Sequence, residues 1–210
     1  MRPSACFLKK KHHISNIERE VELEEEFKYG SVRRGITNEL RDPDHHVTAC
    51  MFDAQTGLPS YYLFEDRLQT TINYENYKDI RLKRNKIAVL GINIDNFNLL
   101  AEPESVLREM TVRMKMYLPA NYTIARGIRY SFWVMIAGLS GQEDIDVELS
   151  KIRTIFRQPL KNGEKVMTSM GVSLYDGQET KAKTLVEEAI VALQRAQAQG
   201  ENNLLFFNYN

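Results

Sequence analysis

Apolar positions along this chain fall into two rhythms. From Lys86 to Ile94 they alternate and are rich in β-branched residues, which predicts a buried strand. Thr123 to Gly127 and Phe132 to Gly138 read as two more strands joined by a tight polar connection, a β-hairpin whose tip carries an arginine and a tyrosine. Val166 to Leu174 and Leu204 to Phe207 supply the remaining strands. Between them the period lengthens to that of a helix. Ser60 is an N-cap for a helix from Tyr61 to about Tyr74, and Glu104 to Tyr117 sets Val106, Met110, Met114 and Tyr117 on one side. Ile145 to Phe156 and Lys181 to Gln199 are helical too, the last stopped by Gly200. The order predicts an α/β fold: a mostly antiparallel central sheet flanked by helices.

Residues 1–49 follow neither rhythm. A basic tail (Arg2, Lys9, Lys10, Lys11) precedes Ser15, which with Glu18 forms a capping box for a helix ending near Tyr29. That helix carries six glutamates against Arg19 and Lys28. Ile14, Ile17 and Val21 share a face while Leu23 and Phe27 point elsewhere, so it suits a stalk or docking arm better than a core. A polar linker, 31–46, contains Gly35 and Asp42-Pro43-Asp44. The globular domain is expected over 50–210.

Charge excludes some functions. Lys plus Arg equals Asp plus Glu at 28 each, so no global field argues for nucleic acid or an anionic membrane surface. The longest apolar run, Phe132 to Leu139, falls far short of the roughly 18–20 residues that span a bilayer, and the N-terminus lacks the apolar segment of a secretory signal. Cys6 and Cys50 form no framework, and a cytoplasmic protein is expected. His12-His13 and His45-His46 have no acidic or cysteine partner at ligand spacing, so they read as solvated loops and no metal site is expected.

Asp53, Thr56, Gly57, Leu58, Pro59 and Phe64 resemble the opening Asp-x-Leu-Thr-Gly-Leu-Pro-Asn-Arg and following Phe of the GGDEF family, the diguanylate cyclases. Asn93-Ile94-Asp95-Asn96-Phe97-Asn98 is similar to that family's Asp-Ile-Asp-x-Phe-Lys, and Gly171-Val172-Ser173 to its Gly-Ile-Ser. Ala189, Ala192-Leu193, Arg195-Ala196 and Gly200 resemble the family's last helix. In order, the likeness covers about residues 50–208, and it implies the GGDEF palm-like sheet.

The likeness thins where that family does its chemistry. Its signature is Arg-x-Gly-Gly-Asp/Glu-Glu-Phe, of which Arg126 and Phe132 remain, with Ile128, Arg129, Tyr130 and Ser131 replacing two glycines and two acids. Phosphoryl transfer from GTP needs carboxylates holding metal ions against the triphosphate, and the family's positions for them are Asn93, Tyr130 and Ser131 here. β-Branched Ile128 is all but excluded from positive φ, so the tip must take another path. The family's phosphate-binding Lys, second Lys and Arg correspond to Asn98, Gln197 and Glu201; its base-binding loop shrinks to 99–104; its product site becomes Pro119 to Tyr122.

The resemblance therefore implies a catalytically inactive regulatory module, without a cofactor, that works in cyclic di-GMP-linked bacterial signalling by binding another protein. The tip residues Ile128, Arg129 and Tyr130, with the arm 1–30, are the expected contact surface, because Arg and Tyr are enriched in interface hot spots. A homodimer stays open. Substituting Arg129 and Tyr130 is expected to leave stability nearly unchanged. The alternative is a receptor for GTP or a cyclic dinucleotide, using Asp95 and Arg126; an ion pair between those two is the competing expectation. RNA binding is a third reading, opposed by the missing aromatic and basic strand signature.

Overall fold

A computed structural model of the chain describes residues 51–78, 85–178 and 180–207. The expected basic tail, acidic helix and linker lie outside the described residues. In chain order the elements are α1 Tyr61–Tyr77, β1 Lys86–Ile94, a 3₁₀ turn Phe97–Leu99, α2 Pro103–Tyr117, β2 Thr123–Arg126, β3 Ser131–Leu139, α3 Gln142–Arg157, β4 Thr168–Tyr175, α4 Ala182–Ala198 and β5 Leu204–Phe206. The strands make one sheet, ordered β2-β3-β1-β4-β5. Every pairing is antiparallel except β4 with β5. This is the α/β, mostly antiparallel architecture expected.

β1 is central because both its faces are apolar. Ala88, Leu90, Ile92 and Ile94 enter a core with Met110 and Met114 of α2 and Ile145, Ile152 and Phe156 of α3. Ile87 and Val89 point the other way, into a core with Phe64, Leu68 and Ile72 of α1 and Leu185, Val186 and Ala189 of α4. Each large aliphatic buried in this way contributes about 1.5–3 kcal/mol. Gly91 of β1 pairs with Gly171 of β4 on the α4 face. A Cβ on Gly171 would lie 2.2 Å from the backbone oxygen of Ala189, so the missing side chain is what lets α4 sit directly on the sheet.

Local chemistry moves several element ends from the expected places. α2 begins at Pro103, whose fixed φ and absent N–H suit a first turn, one residue before Glu104. α3 begins at Gln142, where Glu143 and Asp144 complement the helix N-terminus, ahead of the apolar pattern starting at Ile145. α1 continues to Tyr77, with buried Glu75 accepting from Lys78 Nζ at 2.6 Å and from the Asn85 N–H at 3.0 Å. β4 starts at Thr168 rather than Val166.

Candidate functional site

The opening loop is a turn built on Asp53. Its carboxylate accepts the Thr56 N–H at 2.9 Å and hydroxyl at 2.6 Å, and Gly57 supplies the positive φ of +63°. Pro59, next along, uses its carbonyl to accept the Arg126 N–H at 2.8 Å, which docks the turn on the β2 edge. Asp53 thereby places its charge near the Arg126 side chain. Burial lowers the Arg126 pKa from its ordinary value, and the Asp53 charge opposes that.

Where β1 ends, the register brings Asn93 beside Ser131 of β3 and Ser169 of β4. Asp95 follows and is the carboxylate of this corner. Its Oδ2 accepts the Ser169 hydroxyl at 2.8 Å, and its Oδ1 accepts the side-chain amides of Asn93 at 3.3 Å and Gln197 at 3.4 Å. Three neutral donors therefore converge on one charge. The next residue, Asn96, ties the loop to the segment leading into β4: its amide donates to the Lys165 carbonyl at 2.9 Å and its oxygen accepts the Met167 N–H at 2.9 Å.

Arg126 does not pair with Asp95. β3 lies between β2 and β1, and two strand spacings of about 4.8 Å each separate the edge from the centre. Its guanidinium turns instead onto its own hairpin. Nη1 donates to the carbonyls of Ser131 at 2.7 Å and Gly127 at 3.1 Å, and Nη2 to that of Arg129. The residue expected to meet a phosphate is thus engaged as a clasp for the tip. A Cβ on Gly127 would lie 2.2 Å from Ser131 Oγ and would turn that hydroxyl away from the Ile128 carbonyl it donates to.

The tip takes the other path expected of it. Arg129, not Ile128, adopts positive φ, at 54°, and the Ser131 N–H and hydroxyl both donate to the Ile128 carbonyl, at 3.2 and 2.7 Å. Ile128 and Arg129 are exposed, but Tyr130 is half-buried and folds back. Its ring stacks on Phe97, and its carbonyl accepts the Ile94 N–H at 3.2 Å. Expectation had put all three outward; the apolar ring of Phe97 at the start of the 3₁₀ turn draws the tyrosine in.

Asn98, Gln197 and Glu201 are exposed. The short loop is pinned by the Ala101 N–H donating to Glu164 at 3.1 Å. In the segment Pro119 to Tyr122, burial and then the nearby Glu148 carboxylate raise the Tyr122 pKa. Burial alone would raise the Glu148 carboxyl, but Lys151, donating to it at 2.7 Å, and the nearby Tyr122 outweigh that and hold the group below its ordinary value.

A pair of magnesium ions on a triphosphate calls for several charged oxygens. Asp95, with both oxygens accepting from Asn93, Ser169 and Gln197, does not fit that role, and neither Tyr130 on Phe97 nor Ser131 on Ile128 adds a charge. Among the described residues no three His, Cys, Asp or Glu side chains converge, and no helix is long and apolar enough to cross a membrane. Sequence reasoning missed the Gln197 contact and the Asn96 bridge, since both join segments far apart in the chain.

Comparison with known proteins bears on this corner. Residues 50–203 match the family model described as diguanylate cyclase, GGDEF domain. The chain is similar to the cyclic di-GMP phosphodiesterase NbdA of Pseudomonas aeruginosa, 25% identical over 166 residues, covering 75% of this chain but 20% of NbdA. It spans about a fifth to a quarter of the length of the curated relatives it matches. Its fold is similar to the GGDEF domain of TpbB (YfiN) of P. aeruginosa, with a TM-score of 0.66 and 24% identity over 75% of this chain and 94% of that one. It is also similar to the diguanylate cyclase SiaD of P. aeruginosa in complex with its activator SiaC, with a TM-score of 0.60 and 20% identity over 90% of this chain and 75% of SiaD. With the family model covering most of its length and the fold matching those domains, the chain belongs to the GGDEF family, a family tied to cyclic di-GMP signalling.

Proposed function

We propose that this GGDEF domain is a non-catalytic module that acts in cyclic di-GMP signalling by binding another protein. The observation that carries the proposal is the state of Asp95: a lone carboxylate held by Asn93, Ser169 and Gln197 where a cyclase needs clustered charge. The exposed pair Ile128 and Arg129, held out by the Arg126 clasp, is the contact surface this reading favours. SiaD in complex with SiaC supports it as a case of a GGDEF protein meeting a protein activator.

The nucleotide-receptor reading keeps one favourable feature, an arginine and an aspartate at family positions. Arg126 would first have to release three carbonyls. One experiment separates the readings. Purified protein is assayed with GTP and Mg²⁺ or Mn²⁺ for cyclic di-GMP, and titrated calorimetrically with GTP and with cyclic di-GMP. The proposal expects no product and no binding heat. Product above a no-protein blank that disappears in Asp95→Ala would overturn it. Heat that disappears in Arg126→Ala would replace it with the receptor.

A further inference from the structure

We infer that the outer edge of β5, with the groove beneath it, is a docking site for an extended acidic segment of a partner protein, which adds to the sheet as a further strand. This rests on the protein-binding reading above and names the kind of segment bound. The site lies on the sheet edge opposite the β2–β3 tip.

Among the described residues β5 has only β4 beside it. Met170 donates its N–H to the Asn203 carbonyl and Phe207 donates its own to Val172, so residues 203, 205 and 207 turn their main chain toward β4. By alternation along a strand, the N–H and C=O groups of Leu204 and Phe206 turn outward. Among the described residues nothing takes them. An open edge of this kind is a template for another strand, and extended peptides bind by completing it.

Below the edge lies a groove of about 290 Å³ between β5 and α3. Leu149, Leu204 and Phe206 give it apolar walls, and Arg153 and Arg157 line it too. Four residues apart, those arginines share one helix face. Among the described residues neither has a carboxylate within ion-pair distance, whereas Arg113, Lys78, Lys151 and Lys183 each have one. Asp146, the acid in the groove, stands two turns away on α3 and accepts from Gln142. A strand laid on β5 sends alternate side chains into this groove. The fitting occupant therefore carries, two residues apart on the face it turns inward, an apolar residue for Leu149 and Phe206 and a carboxylate for the arginines.

The probe is a fluorescent peptide of Val-Thr-Glu-Thr repeats, which sets valine and glutamate on one strand face, compared with one of Val-Thr-Lys-Thr repeats, by anisotropy and by amide NMR of the full chain. The glutamate peptide is expected to bind at least about tenfold more tightly, and Arg153→Glu with Arg157→Glu is expected to reverse the preference. The amides of Leu204 and Phe206 should shift and exchange more slowly. Phe206→Pro removes an outward N–H without breaking the ladder to β4, and it should abolish binding; if it unfolds, the arginine reversal and the amide shifts still decide. Equal affinity for both peptides, indifference to the arginine reversal, or shifts away from β5 would overturn the site. Self-association through β5 without peptide binding would assign the edge to a second copy and overturn the acidic partner. None of these outcomes depends on the cyclase assay, which tests the broader reading alone.

Discussion

The ring of Tyr130 lies on the ring of Phe97, with centroids 3.7 Å apart and planes 19° from parallel. A tyrosine at a position where GGDEF cyclases carry an acid is therefore part of the core's edge. Aromatic pairs are worth about 0.5–1.5 kcal/mol beyond their buried area. Tyr130→Ala should lower stability by about 2 kcal/mol, measured by urea denaturation, and Tyr130→Phe should recover most of it. This revises the expectation that substituting Arg129 and Tyr130 together leaves stability nearly unchanged. If Tyr130→Ala unfolds at the same urea concentration as the parent, the stack contributes nothing.

Arg129 should behave in the opposite way. It is exposed at φ 54°, a conformation that costs a side chain about 1 kcal/mol and a glycine none. Arg129→Gly is expected to leave stability level or raise it by a few tenths of a kcal/mol, about 0.5 at most after the entropy of the unfolded chain is counted. The same variant removes the tip's outward charge, so it tests partner binding without a folding penalty. A loss of stability would mean that the Arg129 side chain has a contact the structure does not give it.

These two residues mark what was legible in the sequence. The strands, the helices and the Asp53 turn were readable because burial period and turn chemistry are local. That Ile128 could not take positive φ was readable as well, for a steric reason. The partners of Arg126, Tyr130 and Gln197 were not. Asp95 and Arg126 look like neighbours until β3 is inserted between their strands, and sequence spacing does not give strand order. Gln197 and Asp95 meet across 102 residues, through the seating of α4 on Gly171.

Restoring the missing acid should expose the repulsion its loss removed. Asn93→Asp replaces a donor by a carboxylate about 3.3 Å from that of Asp95. Two carboxylates so close cannot both ionise freely, so one folded-state pKa rises above the unfolded value of about 3.9. Stability held below that pH is then lost as pH rises through the raised pKa. The variant should match the parent near pH 4 and fall behind it by about 2 kcal/mol at pH 7. Thermal melts from pH 4 to 8 read this directly; a constant gap across the range would place the introduced carboxylate away from that of Asp95.

Rebuilding the signature should not rebuild a cyclase. The variant with Asn93→Asp, Ile128→Gly, Arg129→Gly, Tyr130→Asp and Ser131→Glu restores the acids, but Asn98, Gln197, Glu201 and the short loop 99–104 still leave the phosphates and guanine unsupported. With GTP and Mg²⁺ it is expected to yield no cyclic di-GMP above a no-protein blank. Product from this variant would show that the tip and Asn93 alone suppress the chemistry.

The seating of α4 makes the most demanding prediction, because it links packing to the Asp95 corner. A Cβ on Gly171 would meet the Ala189 oxygen and the Leu193 nitrogen at 2.2 Å and the Leu193 Cα at 2.7 Å. These are backbone atoms, so the helix itself must lift. A Cβ on Gly91, its cross-strand partner, would meet mainly the Trp133 ring, at 3.2 Å, which can tilt. Overpacking of the first kind costs about 3 kcal/mol or more, and of the second about 1 kcal/mol. Gln197 lies one turn beyond Leu193 on the same helix, so Gly171→Ala should also detach its amide from Asp95. The expected result is a large loss of stability in Gly171→Ala, a small one in Gly91→Ala, and a shifted Gln197 side-chain amide signal in the first alone. Equal stabilities for the two variants would mean that α4 does not rest on Gly171, and the Gln197 contact with Asp95 would lose its support.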